Sequence, residues 1–258
     1  MRRIAITLSL AITALACAGL ASAEFTQRGN LRLSFDGRLA PKNLPRYEVA
    51  PVTMRVSGRI GTADGNRPPQ VRKIAIAVNR YGRVSTRGLP ICEKAELEQT
   101  TSETALERCG ASRVGKGQFK AVVAFPGLDK VLVDGDALAF NSSKEGKPAL
   151  LLHIYGSRPV QVAFVLTFRI VRVDEGTFGT IFVARIPKIA SELGYVSDID
   201  LTFGRRYEFQ GEERSFLSAR CAVPAGVPGA IFTLARGSFT FSNGQRITSA
   251  LARNCWVR

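Results

Sequence analysis

The sequence predicts an all-β protein, an antiparallel β-sandwich or jelly roll with one disulfide-tethered helix and one short connecting helix. Three observations carry that expectation: apolar and polar residues alternate along most of the chain, turn-forming residues divide these runs at short intervals, and an even number of cysteines remains once an N-terminal leader is set aside. The chain has 258 residues, with 36 Lys+Arg against 21 Asp+Glu for a formal charge of +15. A hydrophobic content of 45% is enough to bury a core and excludes a disordered tail or a multi-span membrane protein.

Residues 1–23 read as a signal peptide. Arg2 and Arg3 form a basic start, Ile4 to Leu20 is apolar apart from Thr7, Ser9 and Thr13, and Ala21-Ser22-Ala23 is a small-residue cleavage site. Cleavage after Ala23 leaves an extracytoplasmic or secreted protein with no transmembrane segment. A second reading anchors the chain as a lipoprotein at Cys17; Ala14 stands where such sites carry leucine, so the cut after Ala23 is preferred. The remaining chain has 258 − 23 = 235 residues and a charge of 34 − 21 = +13. It reads as one β domain over residues 24–258, and the polar loop Asn141 to Pro148 is the place where two smaller β domains would divide.

Four cysteines remain, and the expected bridges are Cys92–Cys109 and Cys221–Cys255, one of three connectivities open to four cysteines outside the cytoplasm. Zinc would call for a close pair such as C-x2-C, which the sequence lacks.

Alternation marks the strands. Val52, Met54 and Val56 alternate with Thr53, Arg55 and Ser57, and Ile74, Ile76 and Val78 repeat the pattern after a turn with Asp64-Gly65 and Pro68-Pro69. Further strands are expected at Leu150–Tyr155, Val160–Val173, Phe178–Ile186 and Ile199–Phe203, about a dozen in all. Ser238–Ser242, then Asn243-Gly244, then Gln245–Thr248 predicts a hairpin with a type I′ turn. Two stretches break the rhythm. From Glu93 to Arg108, Leu97, Thr101, Ala105 and Cys109 recur every four positions and predict one helix stopped at Gly110. Pro187 to Gly194, opened by proline and closed by glycine, predicts about two helical turns joining strands.

Charge is unevenly distributed. Five acids (Glu93, Glu96, Glu98, Glu103, Glu107) and two bases (Lys94, Arg108) make the Cys92–Cys109 segment −3, so the rest of the exported chain is +16. Arginine outnumbers lysine 27 to 9. Arg32, Arg55, Arg80, Arg83, Arg205, Arg206, Arg214, Arg236 and Arg246 fall near turns or on the polar register of strands. Arg55, Arg205, Arg206, Arg236 and Arg246 are the candidate binding residues, because guanidinium forks suit sulfate, phosphate and carboxylate. Two readings stay open: attraction to an anionic envelope or extracellular polymer, or a solvated exterior whose arginine bias reflects genome composition. No nucleic-acid motif accompanies the charge, and nucleic acid is not an expected partner.

Catalytic patterns are thin, and no catalytic residue, metal or cofactor is assigned. Gly110 to Gly117 resembles a phosphate-binding loop up to Lys116, but Gly117 replaces the Ser/Thr that would hold magnesium, so the segment reads as a turn into a strand. His153, the one histidine, lies in an apolar run without a G-x-S-x-G elbow and reads as a core or sheet-face residue. Asp134 with Asp136, and Asp198 with Asp200, are spaced to share a strand face, as a pair of glycosidase carboxylates would need. Asp134-Gly135-Asp136 reads instead as a hairpin turn. One D-x-D falls short of a calcium shell. Asn141-Ser142-Ser143 is a lone glycosylation sequon.

The spacing C-x4-L-x8-L-x2-C (Cys92, Leu97, Leu106, Cys109), Val114-Gly115-Lys116-Gly117, Phe140-Asn141 and the C-terminal Asn254-Cys255-Trp256 resemble exported β-rich proteins of high-GC bacteria that carry no assigned activity. The resemblance implies an exported location, and no catalytic residue is carried over from it. The sequence therefore leads to the expectation of a secreted, non-catalytic structural or binding module at the bacterial envelope or exterior. The alternative is a carbohydrate-active jelly-roll enzyme acting on an acidic glycan.

Overall fold

Period-two alternation produces eighteen strands among the described residues of the computed structural model, which are 24–123, 130–174, 176–186 and 194–258. The leader, its cleavage site at Ala23, Cys17 and the expected connecting helix over 187–193 lie outside the described residues. In chain order the first strands are β1 (Glu24–Arg28), β2 (Leu31–Ala40), β3 (Asn43–Leu44), β4 (Ala50–Pro51), β5 (Thr53–Thr62), β6 (Val71–Asn79) and β7 (Gly82–Val84). Helices α1 (Lys94–Leu97) and α2 (Ser102–Cys109) follow, with a 3-10 turn at Gly110–Ser112. Then come β8 (Arg113–Val123), β9 (Val131–Lys144), β10 (Lys147–Arg158), β11 (Val162–Arg172), β12 (Phe178–Arg185) and β13 (Gly194–Phe203). The last are β14 (Arg206–Phe209), β15 (Glu212–Ser215), β16 (Leu217–Ala219), β17 (Gly229–Phe241) and β18 (Arg246–Val257).

Thirteen strands form one sheet in the order β1-β2-β5-β13-β8-β9-β10-β11-β12-β6-β17-β18-β3. Its pairings are antiparallel except the short parallel contact of β18 with β3. The sheet curls until its ends face one another. Leu31, Leu33 and Phe35 of β2 are buried against Leu234 and Phe239 of β17 and Ile247 and Leu251 of β18, and Phe35 meets the Phe239 ring edge-on at 6.3 Å. Such burial, at about 25 cal/mol per Å² of apolar surface, is what holds the curl. Two small sheets complete the fold: β4-β16-β7, and the β14-β15 hairpin.

β10 explains why one stretch of sequence is apolar without alternation. Leu150, Leu152 and Ile154 enter the main core, while Leu151, on the opposite face, joins Leu138 and Phe140 of β9 beneath the helices. A strand covered on both faces needs apolar residues at every position.

The single helix expected from Glu93 to Arg108 is two. Gln99 takes a left-handed φ of 56°, and the Thr101 side chain accepts a hydrogen bond from the Thr104 amide at 3.2 Å, capping α2. Threonine at an N-cap satisfies a donor that a continuous helix would satisfy by itself, and here the cap wins. Both expected disulfides are present, Cys92–Cys109 with Cα atoms 5.5 Å apart and Cys221–Cys255 with 5.7 Å. The first joins Cys92, two residues before α1, to the last residue of α2.

Three turn expectations change. Asn243-Gly244 does close a hairpin, but among its loop residues only Gly244 has a positive φ (81°). The Gly244 amide donates to Phe241 O, and Phe241 N donates to Gln245 O, so the loop is a three-residue turn with a glycine bulge. The Asn243 side chain stabilises it by accepting from Gln245 N at 3.1 Å. The two successive positive φ angles of a type I′ turn occur instead at Glu145 (54°) and Gly146 (72°), where Asn141–Pro148 forms the tip of the β9–β10 hairpin. Asp134-Gly135-Asp136 is not a turn. It lies within β9, paired to β8 and β10, and a Cβ on Gly135 would sit 2.1 Å from Tyr155 O. Likewise Val114–Gly117 belongs to strand β8, where a Cβ on Gly117 would strike Asp200 O at 1.8 Å. These glycines permit strands to approach closely.

Candidate functional site

The five arginines singled out by sequence are spread over β5, the β13–β14 connection, β14, β17 and β18, and the structure does not bring them into one site. Arg55 forks onto Asp200, Nε to Oδ1 at 2.8 Å and Nη2 to Oδ2 at 2.5 Å, and that hydrogen-bonded carboxylate raises the guanidinium pKa. Arg205 donates to the carbonyls of Gly110 and Arg113. Arg206 pairs with Glu213 at 3.1 Å. Arg236 lies over the Phe178 ring at 4.6 Å. Arg246 is exposed at the start of β18, and its carbonyl accepts from Arg28.

A different set of arginines converges. Where the small β4-β16-β7 sheet meets the ends of β11, β12 and β6, an open cleft of about 660 Å³ is lined by Arg80, Arg83, Arg172 and Arg220. The walls come from distant segments. Arg80 and Tyr81 form the β6–β7 turn, Arg83 is in β7, Arg172 ends β11 and Arg220 follows β16. Asn79, buried beneath them, orders the turn by accepting from Tyr81 N at 2.9 Å and donating to Thr233 O at 2.7 Å. Gly179 lets the Arg80 backbone close in, since a Cβ there would meet Arg80 Cα at 2.9 Å.

Two of the four guanidinium groups are held in place. Arg220 donates to Tyr47 O at 3.1 Å and stacks over the Tyr81 ring at 5.1 Å; Arg80 donates to Gly176 O at 3.2 Å. Arg83 and Arg172 are exposed, and among the described residues neither forms an ion pair or a side-chain hydrogen bond. Glu48 and Asp174 also line the cleft, both exposed and, among the described residues, without an ion pair. Four guanidiniums and two carboxylates leave the cleft at 4 − 2 = +2. Tyr47 presents its ring at the rim, 74% exposed.

From the sequence, Arg80 and Arg83 stand out only as turn-proximal arginines, and Arg172, Arg220 and Tyr47 do not stand out at all. The available signal was the compact Arg80-Tyr81-Gly82-Arg83, two cations and an aromatic ring on a tight turn.

The other candidates resolve into structural roles. His153 is fully buried, its Nε2 lying 3.0 Å from Thr100 O and 3.1 Å from Thr100 Oγ1. Burial pushes its pKa below the usual histidine value, so the neutral ring donates from Nε2 and ties the α1–α2 connection to β10. Asp198 and Asp200 are engaged by Arg59 and Arg55. Asp134 stands in register with Lys120 on β8, which in turn faces Asp198. Cys92, Glu96 and Cys109 bring metal-type ligand atoms within 4.8 Å of one another, but both sulfurs are committed to the disulfide and offer no thiolate.

Among the described residues no helix is long and apolar enough to cross a membrane. Compared with protein-family models, curated proteins and solved structures, the chain finds no match.

Proposed function

We propose that this protein is an exported, non-catalytic binding module that holds an anionic polymer of the cell envelope or exterior in the cleft of Arg80, Arg83, Arg172 and Arg220. One observation carries the reading: four guanidinium groups from three separate segments line a single concavity, and two of them have no ion pair or side-chain hydrogen bond among the described residues. Its volume lies within the ~300–1,000 Å³ typical of ligand sites. Arginine forks bind carboxylate, phosphate and sulfate with charge-assisted hydrogen bonds. Two disulfides support the exported location, because such bonds persist outside reducing compartments. The curled sheet is read as sandwich-like, one half bearing β2 and the other β17 and β18.

An enzyme acting on an acidic glycan is the second reading, favoured by the two carboxylates in the cleft, Glu48 and Asp174. Both are exposed, however, whereas a general acid working near neutral pH calls for a carboxyl raised by burial or a like-charged neighbour. The cleft chemistry therefore favours holding over cleaving.

The test compares two double variants for retention on immobilised polyanions. Arg83→Gln with Arg172→Gln is expected to abolish binding, while Arg206→Gln with Arg246→Gln, on the outer strands, is expected to shift elution only slightly. Equal loss in both would reduce the interaction to net charge. New reducing ends on incubation with acidic glycans would transfer the conclusion to the enzyme.

A further inference from the structure

We infer that the ligand of the arginine cleft is a uronate-bearing glycan, in which each sugar carries one carboxylate, and not a phosphate or sulfate polymer. This rests on the binding function proposed above and narrows it to a substrate class.

Two features of the cleft select the chemistry. The first is its mixed charge. A polyphosphate or a densely sulfated chain brings closely spaced anions, and some of them would lie beside Glu48 and Asp174, whose carboxylates no arginine neutralises among the described residues. A uronate polymer spaces its charges by a whole sugar ring and fills the interval with hydroxyl groups. Ionised carboxylates are acceptors only, so Glu48 and Asp174 match hydroxyl donors and repel additional anions. The guanidiniums of Arg83 and Arg172, unpaired among the described residues, supply planar forks for the sugar carboxylates.

The second feature is the aromatic rim. The Tyr47 ring is 74% exposed, and its backbone is fixed by the Arg220 hydrogen bond to its carbonyl. An exposed aromatic ring on an anchored backbone suits the C–H face of a pyranose, a face that a linear polyphosphate lacks. The Tyr81 ring is covered by the Arg220 guanidinium at 5.1 Å and holds that cation in place.

Titration calorimetry of the purified protein with polygalacturonate, polyphosphate, dextran sulfate and neutral dextran tests the inference. Polygalacturonate is expected to bind at least about tenfold more tightly per site than either other polyanion. Arg83→Gln or Arg172→Gln should weaken it about tenfold, the loss of one charge-assisted fork. Tyr47→Ala, at an exposed position where folding is unaffected, should weaken it severalfold while leaving polyphosphate binding unchanged. If polyphosphate or dextran sulfate binds as tightly as polygalacturonate and the arginine variants weaken all three, the uronate assignment fails and the anionic-polymer function stands. Indifference to Tyr47→Ala also overturns the assignment. If no polyanion binds, or binding ignores the cleft arginines, both the assignment and the function beneath it fall.

Discussion

Arg253 of β18 holds Asp36 of β2 in an ion pair across two strands that share no backbone ladder. The Arg253 Nε also donates to Gly37 O at 2.7 Å, and Asp36 accepts from the Gly37 amide at 2.7 Å. The two side chains are 15% and 17% exposed. Together with Arg28 donating to Arg246 O, this pair joins the facing ends of the sheet by side chains where main-chain pairing stops. Arg253→Ala should therefore lower stability by roughly 2 kcal/mol, because it leaves the largely buried Asp36 carboxylate with only the exposed Arg38 at 3.8 Å and the Gly37 amide as partners. Urea unfolding measures it, and a loss below about 1 kcal/mol would assign closure to the apolar contacts of Phe35 and Leu251 alone.

The Arg55–Asp200 fork makes the opposite case. Its side chains are 60% and 40% exposed, so solvent screens it, and Asp200→Asn should cost less than about 1 kcal/mol. Polyanion binding should be unchanged in the same variant, since this pair lies outside the cleft. A large effect on either readout would contradict the reading of this pair as a solvent-screened contact outside the cleft.

Acid should weaken the fold through His153. Burial lowers its pKa from the ordinary 6.5. Above that value the ring is neutral in both folded and unfolded chains. As pH falls below it, the unfolded chain takes up a proton that the buried ring refuses, and stability declines until the folded pKa is reached, where the loss levels off. The slope from one such group is at most about 1.4 kcal/mol per pH unit. Urea midpoints for wild type and His153→Gln at pH 7.5, 6 and 5 should show this component only in the wild type; parallel slopes would dismiss it.

The two disulfides should differ in worth. They span sequence separations of 17 and 34 residues, and loop-closure entropy gives about 3 and about 4 kcal/mol. Replacing Cys221 and Cys255 by serine should thus lower the thermal midpoint more than replacing Cys92 and Cys109. The reverse order would point to native-state packing under the helical pair as the larger contribution.

Strand positions were legible because a sheet with one buried face writes its period directly into the chain, as Leu31, Leu33 and Phe35 do. Both disulfides were expected and are present, although four cysteines by themselves allow three connectivities. The break between α1 and α2 was not legible, since Thr101 satisfies the helical repeat equally well as a face residue or as a cap, and only the inward turn of Thr100 onto His153 decides between them. Asp134-Gly135-Asp136 misled because the need for glycine comes from Tyr155, twenty residues away. The cleft was hidden for the same reason: residues 47–49, 80–84, 172–174 and 220 become neighbours only through strand order, which local pattern does not contain.

Arg220 directly precedes Cys221, and Cys221 is bonded to Cys255 in the last strand. The covalent tether thus ends one residue from a cation of the cleft wall. The bridge adds a covalent restraint to the hydrogen bonds that already hold Arg220, its amide to Tyr81 O at 3.1 Å and its guanidinium to Tyr47 O at 3.1 Å, so under the proposed function thiol oxidation would fasten the fold and steady a cleft cation in a single chemical event. If the cleft holds polyanions as proposed, adding dithiothreitol to the native protein should weaken that binding before the sheet itself melts.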